Sequence, residues 1–184
     1  MTILTTHVGS LPRPKIVSEL LFKREKEEEY NLQYFEEVIS KSVEEVVKKQ
    51  LDVGVDIISD GEMSKISYAT YVKDRYNGFA GDSERNPPQD LEKFPNYMKK
   101  IADSGGTPTY SRPCCVAEIS SKKNNDLTND IKNILSASNK FNHNKIFMNA
   151  ASPGVISLFL SNFPNCFPVQ DGNNLILEGL YFSL

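Results

Sequence analysis

A helix-period apolar stripe that runs directly into a buried strand is the feature that most constrains this chain. Phe35, Val38, Ile39, Val43, Val46, Val47 and Leu51 recur at three- and four-residue steps, while Glu36, Glu37, Lys41, Glu44, Glu45, Lys48 and Lys49 fill the other face. That spacing is the mark of an amphipathic helix. Gly54 is placed to end it. Val55-Asp56-Ile57-Ile58-Ser59 then forms a compact, β-branched run that breaks at Asp60-Gly61-Glu62. Helix, tight link, buried strand and polar loop in that order make one unit of an α/β fold.

Further units follow the same grammar. Residues 3–8 read as a strand that ends in Gly9-Ser10-Leu11-Pro12 and Pro14. The charges from Lys23 to Glu29 read as a solvated helix face. Residues 115–119 are a candidate strand, 126–137 a weaker helix that Asp126 or Thr128 caps, and 145–150 another internal strand. Ser152-Pro153-Gly154 leads into a helix over 155–160 with proline in its first turn. Residues 77–112 hold four glycines and four prolines and read as a long irregular insertion, with Leu91, Phe94, Tyr97 and Met98 as apolar anchors. Strands alternating with helices imply a parallel sheet. A closed (β/α)8 barrel takes about 250 residues, so the expected fold is a partial (β/α)8 (TIM) barrel: roughly the first four strands, their helices and the inserted loop, over residues 1–161. Residues 162–184 form an aperiodic tail whose last apolar stretch, 175–184, suits a strand or a short helix equally.

Charge narrows the function classes. With 21 Lys and Arg against 24 Asp and Glu, net -3, no basic field exists for a nucleic-acid backbone. Residues 1–6 carry no basic segment backed by an apolar one, and no apolar run nears the roughly 18 residues of a membrane span. No membrane association and a cytoplasmic location are expected. Three cysteines, Cys114, Cys115 and Cys166, lack paired spacing and are expected as reduced thiols.

In a parallel α/β architecture, ligands bind where strands end and helix N-termini begin. Three polar clusters fall there: Thr6-His7-Val8-Gly9-Ser10, Ser59-Asp60-Gly61-Glu62 and Ala151-Ser152-Pro153-Gly154. Taken singly, each is also an ordinary turn. A hydroxyl with backbone N–H groups suits a carboxylate, and an ionised Glu suits an ammonium.

Thr5-Thr6-His7-Val8-Gly9-Ser10-Leu11-Pro12-Arg13-Pro14 and Val53-Gly54-Val55-Asp56-Ile57-Ile58-Ser59-Asp60-Gly61-Glu62 resemble the opening of the catalytic barrel of the cobalamin-independent methionine synthase family. Tyr68-Ala69-Thr70-Tyr71-Val72-Lys73-Asp74-Arg75 and Ala150-Ala151-Ser152-Pro153-Gly154-Val155 continue the likeness in order, over about residues 2–161. It is closer still to the short single-barrel relatives that include the epoxyalkane:coenzyme M transferases. The resemblance implies a methionine-biosynthetic S-methyltransferase of the 5-methyltetrahydropteroyltriglutamate–homocysteine type. It implies a homocysteine-like thiol or amino-acid substrate and a folate donor. Gly9 and Ser10 would meet the amino-acid part of the substrate, Glu62 its ammonium, and Ser152 stands as a further substrate-binding candidate. His7 and Asp60 are the catalytic candidates, and both depart from the pattern: the biosynthetic enzymes usually carry Thr where His7 stands and His where Asp60 stands. His7 suits a proton shuttle or orients the thiol, since imidazole titrates near neutrality; a histidine satisfied by a neighbouring strand-end carbonyl is the competing reading.

The resemblance also implies Zn(II), held by a His-x-Cys pair, an acidic residue and a last Cys from later strands. No His-x-Cys occurs here, so no metal ligand is assigned and Cys115 is read as core. Two readings compete: an alkyl- or methyltransferase to a thiol, incomplete in this chain, and a non-catalytic fragment. A uroporphyrinogen decarboxylase-type barrel is weaker, because it wants clustered arginines and only Arg13 and Arg24 stand near the N-terminus. Half a barrel leaves open sheet edges, so self-association is expected.

Overall fold

The computed structural model describes residues 3–67, 69–81, 89–103 and 113–160. The stripe at 35–51 becomes α2 (Leu32–Asp52), with Asn31 at its N-cap accepting from Tyr34 N at 2.9 Å. Gly54 (φ 83°) ends it: its N–H reaches Leu51 O at 3.0 Å, and Val55 N reaches Gln50 O at 2.9 Å, the paired bonds of a Schellman stop. The remaining elements are α1 (Lys15–Glu25), α3 (Val72–Arg75), β1 (Tyr76–Ala80), α4 (Gln89–Glu92), α5 (Pro95–Asp103), β2 (Cys114–Ser121), α6 (Asp126–Lys140) and α7 (Pro153–Phe159).

The extended runs expected at 3–8, 55–59 and 145–150 lie side by side and parallel. Thr6 bridges Ile57, and Ile58 bridges Ile146. Ile57 N donates to Thr5 O at 3.0 Å, Ile58 N to Lys145 O at 3.0 Å, and Phe147 N to Ile58 O at 2.9 Å. Each pairing is a single bridge, shorter than a regular strand. Side chains take over where a ladder would continue: Thr5 N and Oγ1 both donate to Asp56 Oδ2, at 2.8 and 2.9 Å, and Thr6 Oγ1 donates to Ile57 O at 2.9 Å. These two donors of Thr5 hold the Asp56 carboxyl below its ordinary range.

Two expectations are corrected. The segment 115–119 is a strand, but β2 pairs antiparallel with β1, in the register Tyr76 with Ser121 and Ala80 with Cys114. It joins no parallel sheet, because its partner lies in the stretch read as irregular. Gly78 (φ 93°) sits at the register shift, where an added Cβ would lie 2.7 Å from Glu118 O. Helix α6 is capped by neither Asp126 nor Thr128. Asn125 is the N-cap residue, with no side-chain cap bond, and the Asp126 carboxylate pairs instead with Arg24.

Two apolar clusters support these elements. Val17, Leu20 and Leu21 of α1, Phe35, Ile39, Val43 and Val47 of α2, Ile134 of α6, and Ile58 and Met63 make the first. Tyr71, Val72, Phe79, Cys115, Ile119, Ile156 and Leu160 make the second. Buried Gln50 pins α2 to the second run: Nε2 donates to Ser59 O at 2.8 Å and Oε1 accepts from Ser59 N at 2.9 Å, so no amide atom is left unmet. Among the described residues no helix is long and apolar enough to cross a membrane.

Candidate functional site

The chain leaves the second run through two consecutive left-handed residues, Gly61 (φ 60°) and Glu62 (φ 55°). For a glutamate this backbone costs on the order of 1 kcal/mol. Local bonds hold it: Glu62 N donates to Asp60 Oδ1 at 3.0 Å, and Arg13 reaches Glu62 O through Nε at 3.3 Å and Nη2 at 2.9 Å. The loop after the first run closes over Gly61. Leu11 N donates to Gly61 O at 3.0 Å, and a Cβ on Gly61 would lie 3.0 Å from Leu11 Cβ.

This geometry turns the Glu62 side chain between the ends of the first and third runs. Ser10 Oγ donates to Glu62 Oε2 at 2.5 Å, and Asn149 Nδ2 donates to Oε1. Arg13 Nη2 also donates to Ser10 Oγ at 3.3 Å and to Lys65 O at 2.7 Å. Lys65, itself buried, donates from Nζ to Asn149 O at 2.8 Å and lies 5.1 Å above the Tyr71 ring. Arg75 stacks on Tyr71 at 4.7 Å and pairs with Asp130, which also accepts from Ser64 Oγ at 2.6 Å. The Tyr71 hydroxyl accepts from Ala151 N at 3.4 Å.

Glu62 is 1% exposed and Asp60 2%. Burial pushes the Asp60 carboxyl above its ordinary value, against the Glu62 N–H bond and the charge of Lys65, while Asp130 and Glu62 add to the rise. Burial also draws the Arg13 guanidinium below its usual value, opposed by the charges of Glu62 and Asp60. The cluster thus balances Asp60, Glu62 and Asp130 against Arg13, Lys65 and Arg75.

Of the sequence candidates, Ser10 and Glu62 are bonded to each other, and Asp60 and Gly61 shape the loop that presents Glu62. Gly9 (φ 96°) turns the chain into Ser10, with nothing within 4 Å of an added Cβ. His7 is half-buried, and its buried Nε2 has no hydrogen-bond partner among the described residues, so no strand-end carbonyl satisfies that atom. Ser152 is exposed, and its hydroxyl accepts from Val155 N at 3.2 Å as the N-cap of α7, with Pro153 next. Arg13, Lys65, Tyr71 and Asn149 were not read as candidates. Asn149 had a signal, its place at the end of a strand run beside Ala150-Ala151-Ser152.

Among the described residues no three His, Cys, Asp or Glu side chains come together as metal ligands. His143 Nε2 lies 3.0 Å from Asp56 O, and Cys115 donates to Ala117 O at 3.5 Å while burial raises its thiol. Cys166 lies outside the described residues. Among the described residues this donor set does not fit zinc.

Residues 3–86 match the family model of the cobalamin-independent synthase catalytic domain. A methionine synthase from Sulfolobus acidocaldarius is 28% identical over 133 residues, which are 72% of this chain and 37% of that protein. The fold is similar to the structure of a B12-independent methionine synthase from Shewanella sp. W3-18-1 in complex with selenomethionine. That match has a TM-score of 0.63 and 17% identity, and covers 97% of this chain and 45% of the other. The chain therefore spans less than half the length of either relative. With the motif at 5–14 and the loop at 59–62 inside the matched segment, residues 3–86 are similar to the catalytic domain of the cobalamin-independent methionine synthase family.

Proposed function

We propose that this chain forms the amino-acid-binding part of a methionine synthase-like enzyme that transfers a methyl or alkyl group to a thiol. The observation that carries the reading is the 2.5 Å contact between Ser10 Oγ and Glu62 Oε2, 52 residues apart, at the ends of two neighbouring parallel runs. A substrate ammonium takes a Glu62 oxygen, and the freed Ser10 hydroxyl turns to the substrate carboxylate together with the backbone N–H groups of the Gly9 turn. His7, with Nε2 unbonded, takes the thiol proton, so the sulfur lone pair attacks the methyl carbon while the leaving group keeps the old bond pair. A homocysteine-like thiol fits this arrangement, and a folate is the donor consistent with the family. The selenomethionine held by the Shewanella relative agrees with an amino-acid ligand.

Glu62→Gln keeps the shape and removes the charge. Calorimetry with L-homocysteine should show binding weakened by about 1.5 to 3 kcal/mol, the range for hydrogen bonds to charged groups. Unchanged binding removes Glu62 from the site. A second reading, a non-catalytic structural network, is favoured by one observation: Glu62 is 1% exposed with both carboxylate oxygens already bonded. That reading expects Glu62→Gln to lower the melting temperature and to bind no amino acid in either form.

A further inference from the structure

Asn149 closes the third parallel run, and its carbonyl is fixed by Lys65 Nζ at 2.8 Å. Its amide orientation is forced. Nδ2 faces Glu62 Oε1, and a carboxylate only accepts, so a flipped amide would set oxygen against oxygen. Oδ1 is thereby left buried with no hydrogen-bond partner among the described residues. An unmet buried acceptor is costly and calls for a donor. A second buried side-chain atom in this condition among the described residues, His7 Nε2, stands at the end of the first run. Both therefore sit on the segments that flank the run leading to Glu62. A primary ammonium, with three N–H donors, suits a carboxylate and a neighbouring amide oxygen together.

We infer that Asn149 is a substrate-binding residue whose Oδ1 accepts from the ammonium of an amino-acid ligand while its Nδ2 holds Glu62 for the same group. This rests on the reading of Ser10 and Glu62 given above. It also makes the site selective for amino acids over thiols or thioethers that lack an amine.

The test titrates the full chain with L-methionine and with 4-(methylsulfanyl)butanoate, the same molecule without the ammonium. The wild-type chain should bind methionine at least about tenfold more tightly. Asn149→Leu should lose about that factor for methionine and change affinity for the butanoate less than about twofold. Asn149→Ser takes its place if the leucine variant does not show the wild-type thermal transition. If Asn149 variants keep the wild-type preference while Glu62→Gln loses it, the inference fails and the Ser10–Glu62 pocket stands. Equal losses for both ligands in a normally melting Asn149 variant also overturn it. A wild-type chain with no preference, or no binding, overturns the pocket and the inference together.

Discussion

Asp60 and Asp74 carry carboxyls that burial pushes upward, in Asp74 against the charges of Arg24 and Lys73. A carboxyl raised in the folded state keeps its proton longer than in the unfolded chain, so stability is full below the ordinary carboxylate value and declines as pH rises through the raised one. Asp60→Asn keeps an acceptor for Glu62 N and removes that decline. Its melting temperature should fall less than the wild type's as pH rises above the ordinary carboxylate value of about 4; an identical pH profile would show that Asp60 ionises without strain. What was legible at this scale was the pair of residues, Ser10 and Glu62, that long motifs mark out. Asn149 and Lys65 were not: the place of Asn149 at the end of a strand run is a local signal, but its bond to a carboxylate 87 residues away and the lysine on its carbonyl are not.

Among the elements, α2 was readable from its apolar period and its Gly54 stop, which are both local, while its Asn31 cap was not read. The charged run after Leu20 was read as solvated, and two of its members are not. Arg24 pairs with Asp126 of α6, and Lys73 of α3 pairs with Glu25 at 2.8 Å, where the Glu25 side chain is 5% exposed. Arg75 with Asp130 closes the triangle of α1, α3 and α6. Arg75→Met leaves the buried Asp130 carboxylate with a serine hydroxyl, which should cost about 3–5 kcal/mol by denaturant unfolding. A cost below about 1 kcal/mol would place the pair in the class of surface bridges. The β1–β2 hairpin escaped reading because its strands are separated by more than thirty residues and its shape turns on one bulge. Gly78→Ala meets carbonyl oxygens at 2.7 and 2.8 Å in a left-handed backbone, so a loss of more than about 1 kcal/mol is expected. A neutral result would mean that the bulge relaxes.

For the whole molecule, the parallel runs and their helices follow the expected α/β order, and the fold is similar to a structure of which this chain covers 45%. Apolar side chains lie open on its outer parts: Ile3 at 89% and Val8 at 64% on the first run, and Leu127, Ile131 and Leu135, four residues apart, on α6. Copies of the chain should associate, and light scattering should give a mass above 20.7 kDa that rises with concentration; a constant monomer mass would mean that these faces are tolerated in water. Association leaves the central claim untouched, since the site is built from Ser10, Glu62 and Asn149 of one chain. The direct measurement is a crystal structure with L-selenomethionine soaked in and selenium located by anomalous scattering. The account predicts the ammonium on Glu62 and Asn149, with the Ser10 hydroxyl turned to the ligand carboxylate. Selenium found elsewhere, with the Ser10–Glu62 bond intact, would contradict it.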